Sequence, residues 1–317
     1  MIRRPFLAAV ATTIVIVMAA LVATLVPWSV LTGSTTEKTA VPGTPRDDRA
    51  PIARAPRYVA LGSSYASGPD TSGVVNTRCL RTGDDYPHQV ATALRLDLTD
   101  VSCSGSTIPD ILHRAQPRRA DAPQIDAVTS DTDLVTITTG GNDVGYIGRL
   151  TSISCTNQLT RATMRGVGVH CRDEPPRNPP AASDFARLES EMIAVVEAVR
   201  LRAPKAVVVI VNYPPVLDPR GTTCASVPLT PAEAATTVAT FDGLRRATDA
   251  AARATASILV DAASAGADHT ACSAAPWVYG YRLPAPYHPN ADGREAMARL
   301  TTAAIEASGF TTPATPR

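Results

Sequence analysis

The sequence predicts an α/β domain with a central parallel sheet, and three observations support this prediction. Apolar strand patterns alternate with amphipathic helix patterns between residues 57 and 309, the order typical of units with right-handed crossovers. The run "KAVVVIVNY", residues 205–213, is apolar on both faces, as expected of a strand covered on both sides. The chain has 317 residues, of which 44% are hydrophobic, enough for one sizeable core.

The individual elements follow from periodicity and flanking residues. "DLVTITTG", residues 133–140, is rich in β-branched residues and ends in glycine, which favours a strand. "YPHQVATALRL", residues 86–96, has apolar residues at helical spacing. The same criteria predict strands at 58–61, near 100, at 133–140, 205–213 and 257–262. They predict helices at 86–96, 123–128, 184–202, 231–256 and 291–307. In such sheets ligands bind at the carboxyl ends of the strands, so we expect the functional residues there.

The N-terminal segment is strongly apolar. Arg3 and Arg4 precede a nearly uninterrupted apolar run from Phe6 to Val26, which continues to Leu31. About 20 such residues suffice to cross a bilayer, and the preceding positive charge favours a cytoplasmic N-terminus. We therefore predict that residues 1–32 form a transmembrane anchor, with a cleaved signal segment as the alternative. The rest of the chain would then lie on the outer face of the cytoplasmic membrane, or be secreted after cleavage.

Polar segments flank the predicted domain. Residues 33–56 are rich in Pro, Thr and charge without apolar periodicity, which is typical of a flexible linker. Residues 311–317 have a similar composition and are predicted to be a disordered tail, leaving residues 57–310 for the folded domain. The formal net charge of +1 gives no electrostatic basis for a nucleic-acid partner. We expect a monomer that contacts the membrane through its N-terminal segment.

The cysteine content indicates disulfide bonds. All six cysteines follow the apolar N-terminal run, and an even number in an exported chain suggests three disulfides. Six cysteines allow 15 pairings, of which sequential pairing closes the shortest loops. The predicted pairs are Cys79 with Cys103, Cys155 with Cys171, and Cys224 with Cys272. No CxxC pair or Cys/His cluster has the spacing of a zinc site, so we predict neither metal nor cofactor.

Four segments carry polar residues and glycines of the kinds found in catalytic sites. They follow predicted strands or precede the last predicted helix, and they are "GSSY" (62–65), "SCSGST" (102–107), "GGNDVGY" (140–146) and "YHPNADG" (287–293). Because the carboxyl ends of parallel strands meet at one edge of the sheet, we expect all four segments to converge there.

These segments contain the parts of a serine hydrolase. A serine nucleophile needs a base and preorganised oxyanion donors. Ser64 is the candidate nucleophile, and His288 is the candidate base among the five histidines because its loop is framed by Tyr287 and a helix start. The N–H groups of Ser64 and Gly105 and the side-chain amide of Asn142 are the candidate donors. Each has a simpler interpretation, a tight turn or a helix N-cap, but their combination favours catalysis.

The ordered set Ser64, Gly105, Asn142 and His288 resembles the SGNH subgroup of the GDSL esterases and lipases over residues 57 to about 309. The cysteine layout resembles the secreted actinobacterial lipases of this family. The resemblance implies a flavodoxin-like three-layer α/β/α sandwich and hydrolysis of carboxylic esters without a metal. Carried over by position, Ser64 is the nucleophile, His288 is the base, and the N–H groups of Ser64, Gly105 and Asn142 form the oxyanion hole.

The chain departs from the family pattern at two positions. Ser63 stands where the family usually has Asp before the nucleophilic serine. Ala285 stands where it usually has the Asp that orients the catalytic histidine. A backbone carbonyl can instead hold the Nδ1–H of an imidazole and fix its tautomer. We expect the carbonyl of Ala285 or of a neighbour to do so for His288, with Asp261 and Asp268 as less favoured alternatives.

The sequence thus predicts an exported serine esterase or lipase that acts on a lipid or on an acylated envelope glycan. The alternatives are a carbohydrate O-deacetylase or acyltransferase that uses the same site, and a non-catalytic binding module whose site has decayed. The insertion from Thr151 to Ala182 and the loop from Pro214 to Leu229 are the expected walls of the cleft.

Overall fold

The computed structural model of the protein describes residues 54–71, 73–163 and 178–311. The predicted N-terminal segment (1–32), nearly all of the linker and most of the tail lie outside the described residues, and what was predicted for them stays a prediction. Within the described ranges, none of the helices combines the length and the apolar character needed to cross a membrane.

The central sheet is parallel and has five strands, and a separate antiparallel hairpin lies between its first two strands in the sequence. The strands are β1 (Arg57–Gly62), β2 (Val74–Asn76), β3 (Arg81–Thr82), β4 (Asp97–Asp100), β5 (Leu134–Thr138), β6 (Val207–Val211) and β7 (Ile258–Val260). Across the central sheet their order is β4-β1-β5-β6-β7, and each neighbouring pair is parallel. With β2 and β3 set aside, this is the 2-1-3-4-5 order of flavodoxin-like folds, which confirms the predicted fold class.

Helices cover both faces of this sheet. They are α1 (Ser64–Ser67), α2 (Tyr86–Leu94), α3 (Ile108–Leu112), α4 (Tyr146–Thr163), α5 (Ala182–Arg202), α6 (Pro231–Ala254), α7 (Ala262–Ala265) and α8 (Ala291–Ala307). α2 packs against α8 on one face, and α5 packs against α6 on the other. The result is the three-layer α/β/α sandwich that the resemblance implied.

The alternation of side chains along β1 explains the two cores. Tyr58 and Ala60 point into the core shared with α2 and α8, whereas Val59 and Leu61 point into the core shared with α5 and α6. Successive side chains of a strand face opposite sides of a sheet, so a strand between two helix layers must be apolar throughout. All four of these side chains are at most 3% exposed.

Most predicted elements are present, with ends shifted by a few residues. The last helix has the predicted bounds, because the Asn290 side chain caps it by accepting a hydrogen bond from the N–H of Gly293. No helix was predicted at the start of the insertion from Thr151 to Ala182, whereas α4 continues to Thr163. The Pro- and Arg-rich composition further along that segment obscured the helix. The hairpin and the short helices α1, α3 and α7 were also missed.

Disulfides hold the loops around the sheet edge. The predicted bonds Cys79–Cys103 and Cys224–Cys272 are both formed, with Cα–Cα distances of 4.4 and 5.8 Å. Cys155 is also disulfide-bonded, and its predicted partner Cys171 lies outside the described residues. The first of these bonds joins the β2–β3 hairpin to the segment that follows β4.

Candidate active site

The carboxyl edge of the sheet brings together the segments that follow β1, β4 and β5. The N–H of Ser63 donates to the carbonyl of Thr138 at 2.9 Å, and the N–H of Cys103 donates to the carbonyl of Gly62 at 3.0 Å. These bonds continue the pairing of the parallel strands beyond their ends. The convergence of the first three segments therefore follows directly from the fold.

The two adjacent serines after β1 have different environments. A Cβ at position 62 would lie 2.4 Å from the carbonyl oxygen of Thr138, so only glycine lets the chain turn this close to β5. Ser63 is 1% exposed, and its Oγ lies 3.1 Å from the hydroxyl oxygen of Tyr213. Ser64 begins α1 and is 7% exposed. The hydroxyl of Ser63 is thus engaged beneath the turn, which leaves Ser64 as the candidate nucleophile.

The imidazole of His288 is oriented by the backbone of its own loop. Its Nδ1 lies 2.8 Å from the carbonyl oxygen of Pro286, so Nδ1 carries the proton and donates it. The N–H of His288 also approaches the carbonyl of Ala285, at 3.4 Å. The sequence suggested Ala285 or a neighbour for this role, and the neighbour Pro286 makes the contact. Nε2 is then the nitrogen with a lone pair.

The alternative carboxylates have other surroundings. Asp261 accepts hydrogen bonds from the side chains of Ser264 and Asn212, the latter at 3.0 Å. These bonds tie the end of β7 to the end of β6. Asp268 is exposed to solvent. The described contact that fixes the tautomer of the imidazole is therefore the bond to a backbone carbonyl.

A pair of tyrosines joins the serine segment to the histidine segment. The hydroxyl of Tyr65 donates to the carbonyl of Tyr287 at 2.6 Å, and both side chains are at most 1% exposed. The ring centroids of Tyr65 and His288 are 5.6 Å apart. Because Tyr65 follows Ser64 and Tyr287 precedes His288, this bond brings the candidate nucleophile and base into neighbouring positions. The fourth predicted segment therefore joins the other three.

Tyr287 is itself tightly constrained. Its φ of 62° is in the left-handed region, which is uncommon for a non-glycine residue. Its hydroxyl lies 2.5 Å from the Oγ of Ser154 on α4, so α4 contacts the histidine loop. Backbone strain of this kind persists only where surrounding contacts impose it, and it is frequent at functional sites.

Burial changes the acid–base behaviour of His288. It lowers the pKa of the imidazole to about 4, while the hydrogen bonds to the carbonyls of Pro286 and Ala285 act in the opposite direction. The ring is therefore neutral at pH 7. A neutral imidazole with its proton held on Nδ1 can accept a proton at Nε2, as general-base catalysis requires.

Gly105, a candidate oxyanion donor, lies two residues after Cys103, whose N–H donates to the carbonyl of Gly62. Its φ of 83° is in the left-handed region, where glycine is favoured. A Cβ there would lie 3.3 Å from the Nε2 of Gln116, which itself donates to the carbonyl of Ser104 at 3.0 Å. The loop thus has a fixed conformation supported from below by Gln116.

Asn142 and Asp143 join the second segment to the third. The Nδ2 of Asn142 donates to the carbonyl of Ser106 at 2.8 Å, which uses one of the two N–H bonds of the amide. Asp143 accepts a hydrogen bond from the N–H of Ile108 at 2.9 Å. Asp143 therefore satisfies the start of α3, a helix from another segment. These two bonds hold Asn142 beside the loop that contains Gly105.

A buried arginine went unnoticed in the sequence. Arg294 on α8 is 3% exposed and pairs with Asp70 at 3.1 Å and with Asp84 at 2.7 Å. The hydroxyl of Tyr279 also donates to Asp70, at 2.8 Å. These contacts tie the helix after His288 to the segment after α1. Charged residues on helices are mostly exposed, so nothing in the sequence indicated this network.

Asp85, His88 and Asp100 form the one cluster in the described ranges whose ligand atoms are close enough to hold a metal ion. The Nδ1 of His88 lies 2.7 Å from Asp85, and Arg81 contacts Asp100 at 3.3 Å. Burial raises the pKa of Asp85 to about 8. The arrangement is that of a polar network, in which Asp85 is hydrogen-bonded to His88 and Arg81 pairs with Asp100.

The arrangement of serine, histidine and candidate oxyanion donors is that of a serine hydrolase, and comparison with known proteins identifies the family. The GDSL-like lipase/acylhydrolase family matches residues 60–296. The chain belongs to this family and is a carboxylic ester hydrolase, as the sequence predicted.

Two lipases of Streptomyces are similar to this chain in sequence. Lipase 2 of Streptomyces coelicolor is 33% identical over 264 residues, which cover 77% of this chain and 84% of that protein. A lipase of Streptomyces rimosus is 32% identical over 252 residues, which cover 77% of this chain and 85% of that protein. The similarity therefore includes most of both chains.

Solved structures of this family agree with the fold. Phospholipase A1 from Streptomyces albidoflavus has a TM-score of 0.61 and 27% identity, and the match covers 79% of this chain and 98% of that one. The extracellular lipase from Streptomyces rimosus has a TM-score of 0.57 and 28% identity, over 79% of this chain and 100% of that one.

Proposed function

We propose that this protein is an exported serine esterase or lipase that hydrolyses carboxylic esters through an acyl-enzyme on Ser64. The observation that carries the proposal is the 2.6 Å hydrogen bond from Tyr65 to the carbonyl of Tyr287, which brings the serine and histidine segments together. The orientation of His288 by the carbonyl of Pro286 supports a Ser-His dyad.

The proposed reaction has two steps. His288 accepts the Ser64 proton at Nε2 while Ser64 attacks the ester carbonyl carbon, and the oxyanion accepts hydrogen bonds from Ser64, Gly105 and Asn142. The imidazolium then protonates the leaving alcohol. In the second step His288 takes a proton from water as the water oxygen attacks the acyl carbonyl carbon. The bond between that carbon and the Oγ of Ser64 then breaks, the carboxylic acid leaves, and the imidazolium returns its proton to Ser64.

The dyad differs from a triad in how it treats the charged intermediate. A carbonyl dipole at Nδ1 fixes the tautomer, but it stabilises the imidazolium less than a carboxylate does. The pKa of His288 is lowered to about 4 mainly by burial, and the groups that raise it within the described residues are the backbone carbonyls of Pro286 and Ala285. We therefore propose an enzyme whose base remains available under mildly acidic conditions.

A lipid ester is the favoured substrate class. The similar proteins are lipases and a phospholipase A1, so an acyl ester of a glycerol lipid is the first substrate to test. Export is supported by the disulfides, which persist in oxidising compartments, and by the extracellular lipase among the similar structures. We also propose that the protein acts as a monomer, either anchored by residues 1–32 or released after cleavage.

Labelling with a fluorophosphonate tests the nucleophile. The wild type should be labelled, and Ser64→Ala should abolish labelling because the reagent bonds to the activated serine oxygen. Ser63→Ala should still be labelled, as should Ser190→Ala, which changes an exposed serine on α5. Labelling that persists in Ser64→Ala would refute the proposed nucleophile, and an unlabelled wild type would favour the binding module.

A substrate panel separates the enzyme classes. Initial rates on p-nitrophenyl esters of graded chain length and on a phospholipid should exceed those on acetylated glycans, with Ser64→Ala as the blank. Faster release of acetate from the glycans would instead indicate a carbohydrate O-deacetylase. Transfer of the acyl group to an added sugar, in preference to water, would indicate an acyltransferase.

A further inference from the structure

Tyr213 contacts both halves of the candidate site from below. It lies two residues after β6 and is 3% exposed. Its hydroxyl oxygen lies 3.1 Å from the Oγ of Ser63 and accepts a 3.3 Å hydrogen bond from the N–H of Gly141. Ser63 immediately precedes the candidate nucleophile, and Gly141 immediately precedes Asn142. One hydroxyl group therefore bridges the nucleophile turn and the oxyanion loop.

The ring of Tyr213 adds contacts to the same two segments. Its centroid lies 4.3 Å from that of Tyr65, the residue after Ser64. A Cβ at position 141 would lie 3.0 Å from the ring and the hydroxyl oxygen of Tyr213, closer than nearly all such contacts. The second glycine of "GGND", Gly141, thus leaves the space that the ring of Tyr213 fills. A larger residue at position 141 would displace either the ring or the loop.

The direction of the hydrogen bonds follows from the groups available. The backbone N–H of Gly141 can only donate, so the Tyr213 oxygen accepts there and its single proton is available for Ser63. Burial raises the pKa of Tyr213 to about 12, so the hydroxyl remains neutral at working pH. The bridge between Ser63 and Gly141 is therefore neutral.

We propose that Tyr213 is a positioning residue, which holds Ser64 and Asn142 at a fixed separation by joining Ser63 to Gly141. The inference rests on the proposed function, since it assigns Ser64 and Asn142 their roles in that reaction. Oxyanion donors act only when they are preorganised around the developing charge, and small misplacements cost large factors in rate. Tyr213 touches no reacting atom and acts through the two loops.

Tyr213→Phe tests the proposal because it keeps the ring and removes only the hydroxyl. We expect kcat, corrected for the concentration of active sites, to fall about 10- to 100-fold, while KM stays within about two-fold. The rate of fluorophosphonate labelling of Ser64 should fall by a similar factor. Ser63→Ala should act in the same direction, and the double variant should be no slower than the slower single variant, because both changes break one bridge.

Tyr58→Phe is the matched control. Tyr58 also loses a buried hydroxyl contact, at 2.8 Å from Thr136, but it lies at the start of β1, at the opposite end from Ser64. This variant should lose stability and keep its kcat per active site. If Tyr213→Phe likewise kept kcat per active site within about two-fold of wild type, Tyr213 would be merely structural. If the fold-losses in kcat of Tyr213→Phe and Ser63→Ala multiplied in the double variant, the two residues would act independently and the proposed bridge would be refuted.

The two proposals fail in different ways. Mass spectrometry of the labelled wild type first establishes whether Ser64 is the nucleophile. If Ser64 carries no label, the proposed function fails and the positioning role fails with it. If Ser64 is labelled and Tyr213→Phe has wild-type kinetics, only the positioning role is refuted.

Discussion

The candidate nucleophile and the candidate base are held in place by different means. Ser64 lies two residues after the end of β1, and the N–H of the residue before it donates to Thr138 on the neighbouring strand at 2.9 Å. His288 lies in a loop, and a contact that places it comes from Tyr65, whose hydroxyl donates to the carbonyl of Tyr287. The backbone hydrogen bonds of the sheet therefore fix the turn that carries the serine. The position of the histidine depends on a few side chains from distant parts of the sequence.

The histidine side has a second support of the same kind. Arg294 follows the histidine loop on α8 and pairs with Asp70 and Asp84, which belong to the segments after α1 and before α2. The difference between the two sides teaches that the histidine loop is placed by side chains from distant parts of the sequence, whereas the turn before Ser64 is also held by backbone hydrogen bonds of the sheet.

Removal of the base should have the largest effect. His288→Ala should lower kcat by about 10,000-fold or more, as in other serine hydrolases that lose their base. His113→Ala is the control, since His113 is exposed at the end of α3 and should keep wild-type kcat. Turnover of a p-nitrophenyl ester measures both. A loss of less than about ten-fold in His288→Ala would mean that another group takes the proton from Ser64.

Removal of the buried arginine should have the next largest effect, a loss of stability. Arg294→Met leaves the Asp70 carboxylate, which is 9% exposed, without its cation. Breaking a buried pair in this way lowers the free energy of unfolding by about 3–5 kcal/mol. Urea denaturation measures this, with Arg299→Met, an exposed residue of the same helix, as the control. Equal stabilities of the two variants would show that the network does not hold the histidine side.

A single hydrogen bond between the two sides should have a smaller effect. Tyr65→Phe removes the bond to the carbonyl of Tyr287 and keeps the ring beside His288. A net loss of about 0.5–1.5 kcal/mol corresponds to a fall of about 2- to 13-fold in kcat. Steady-state kinetics would measure it at saturating ester. An unchanged kcat would show that His288 is placed by its own loop alone.

The smallest expected effect is that of pH on the activity of the wild type over the range usually assayed. Because burial lowers the pKa of His288 to about 4, the imidazole is deprotonated from about pH 5 upward and becomes protonated only as the pH falls through that value. We expect kcat/KM to lose less than half its value between pH 7 and pH 5, followed by a steep fall near pH 4. A midpoint at pH 6 to 7 would indicate an imidazole with ordinary exposure.

The parts that the sequence predicted carry local signals. The strands of the sheet are apolar runs of the right length, and α8 begins after an Asn-capped turn at its predicted first residue. Three of the four segments of the site follow strand ends, so their convergence needed only the rule for parallel sheets. The same locality explains why Pro286, beside the expected Ala285, could be anticipated as the partner of His288.

The parts that it missed depend on partners distant in the chain. A tyrosine after an apolar strand gives no sign that its hydroxyl bridges Ser63 and Gly141, as that of Tyr213 does. An arginine on a helix is typical of an exposed face. Arg294 is buried because it pairs with Asp70 and Asp84, which are distant in the sequence. The helix α4 was hidden by the Pro- and Arg-rich residues that follow it.

The Cys79–Cys103 bond is a covalent anchor beside the candidate oxyanion loop. Cys103 lies two residues before Gly105, and the N–H of Ser104 donates to the carbonyl of Cys79 at 3.0 Å, so the hairpin and the oxyanion loop are anchored to each other. In a reducing cytosol this covalent anchor would be absent. The loop that contains Gly105 would then keep only its non-covalent contacts to the hairpin, such as the bond from Ser104 to Cys79.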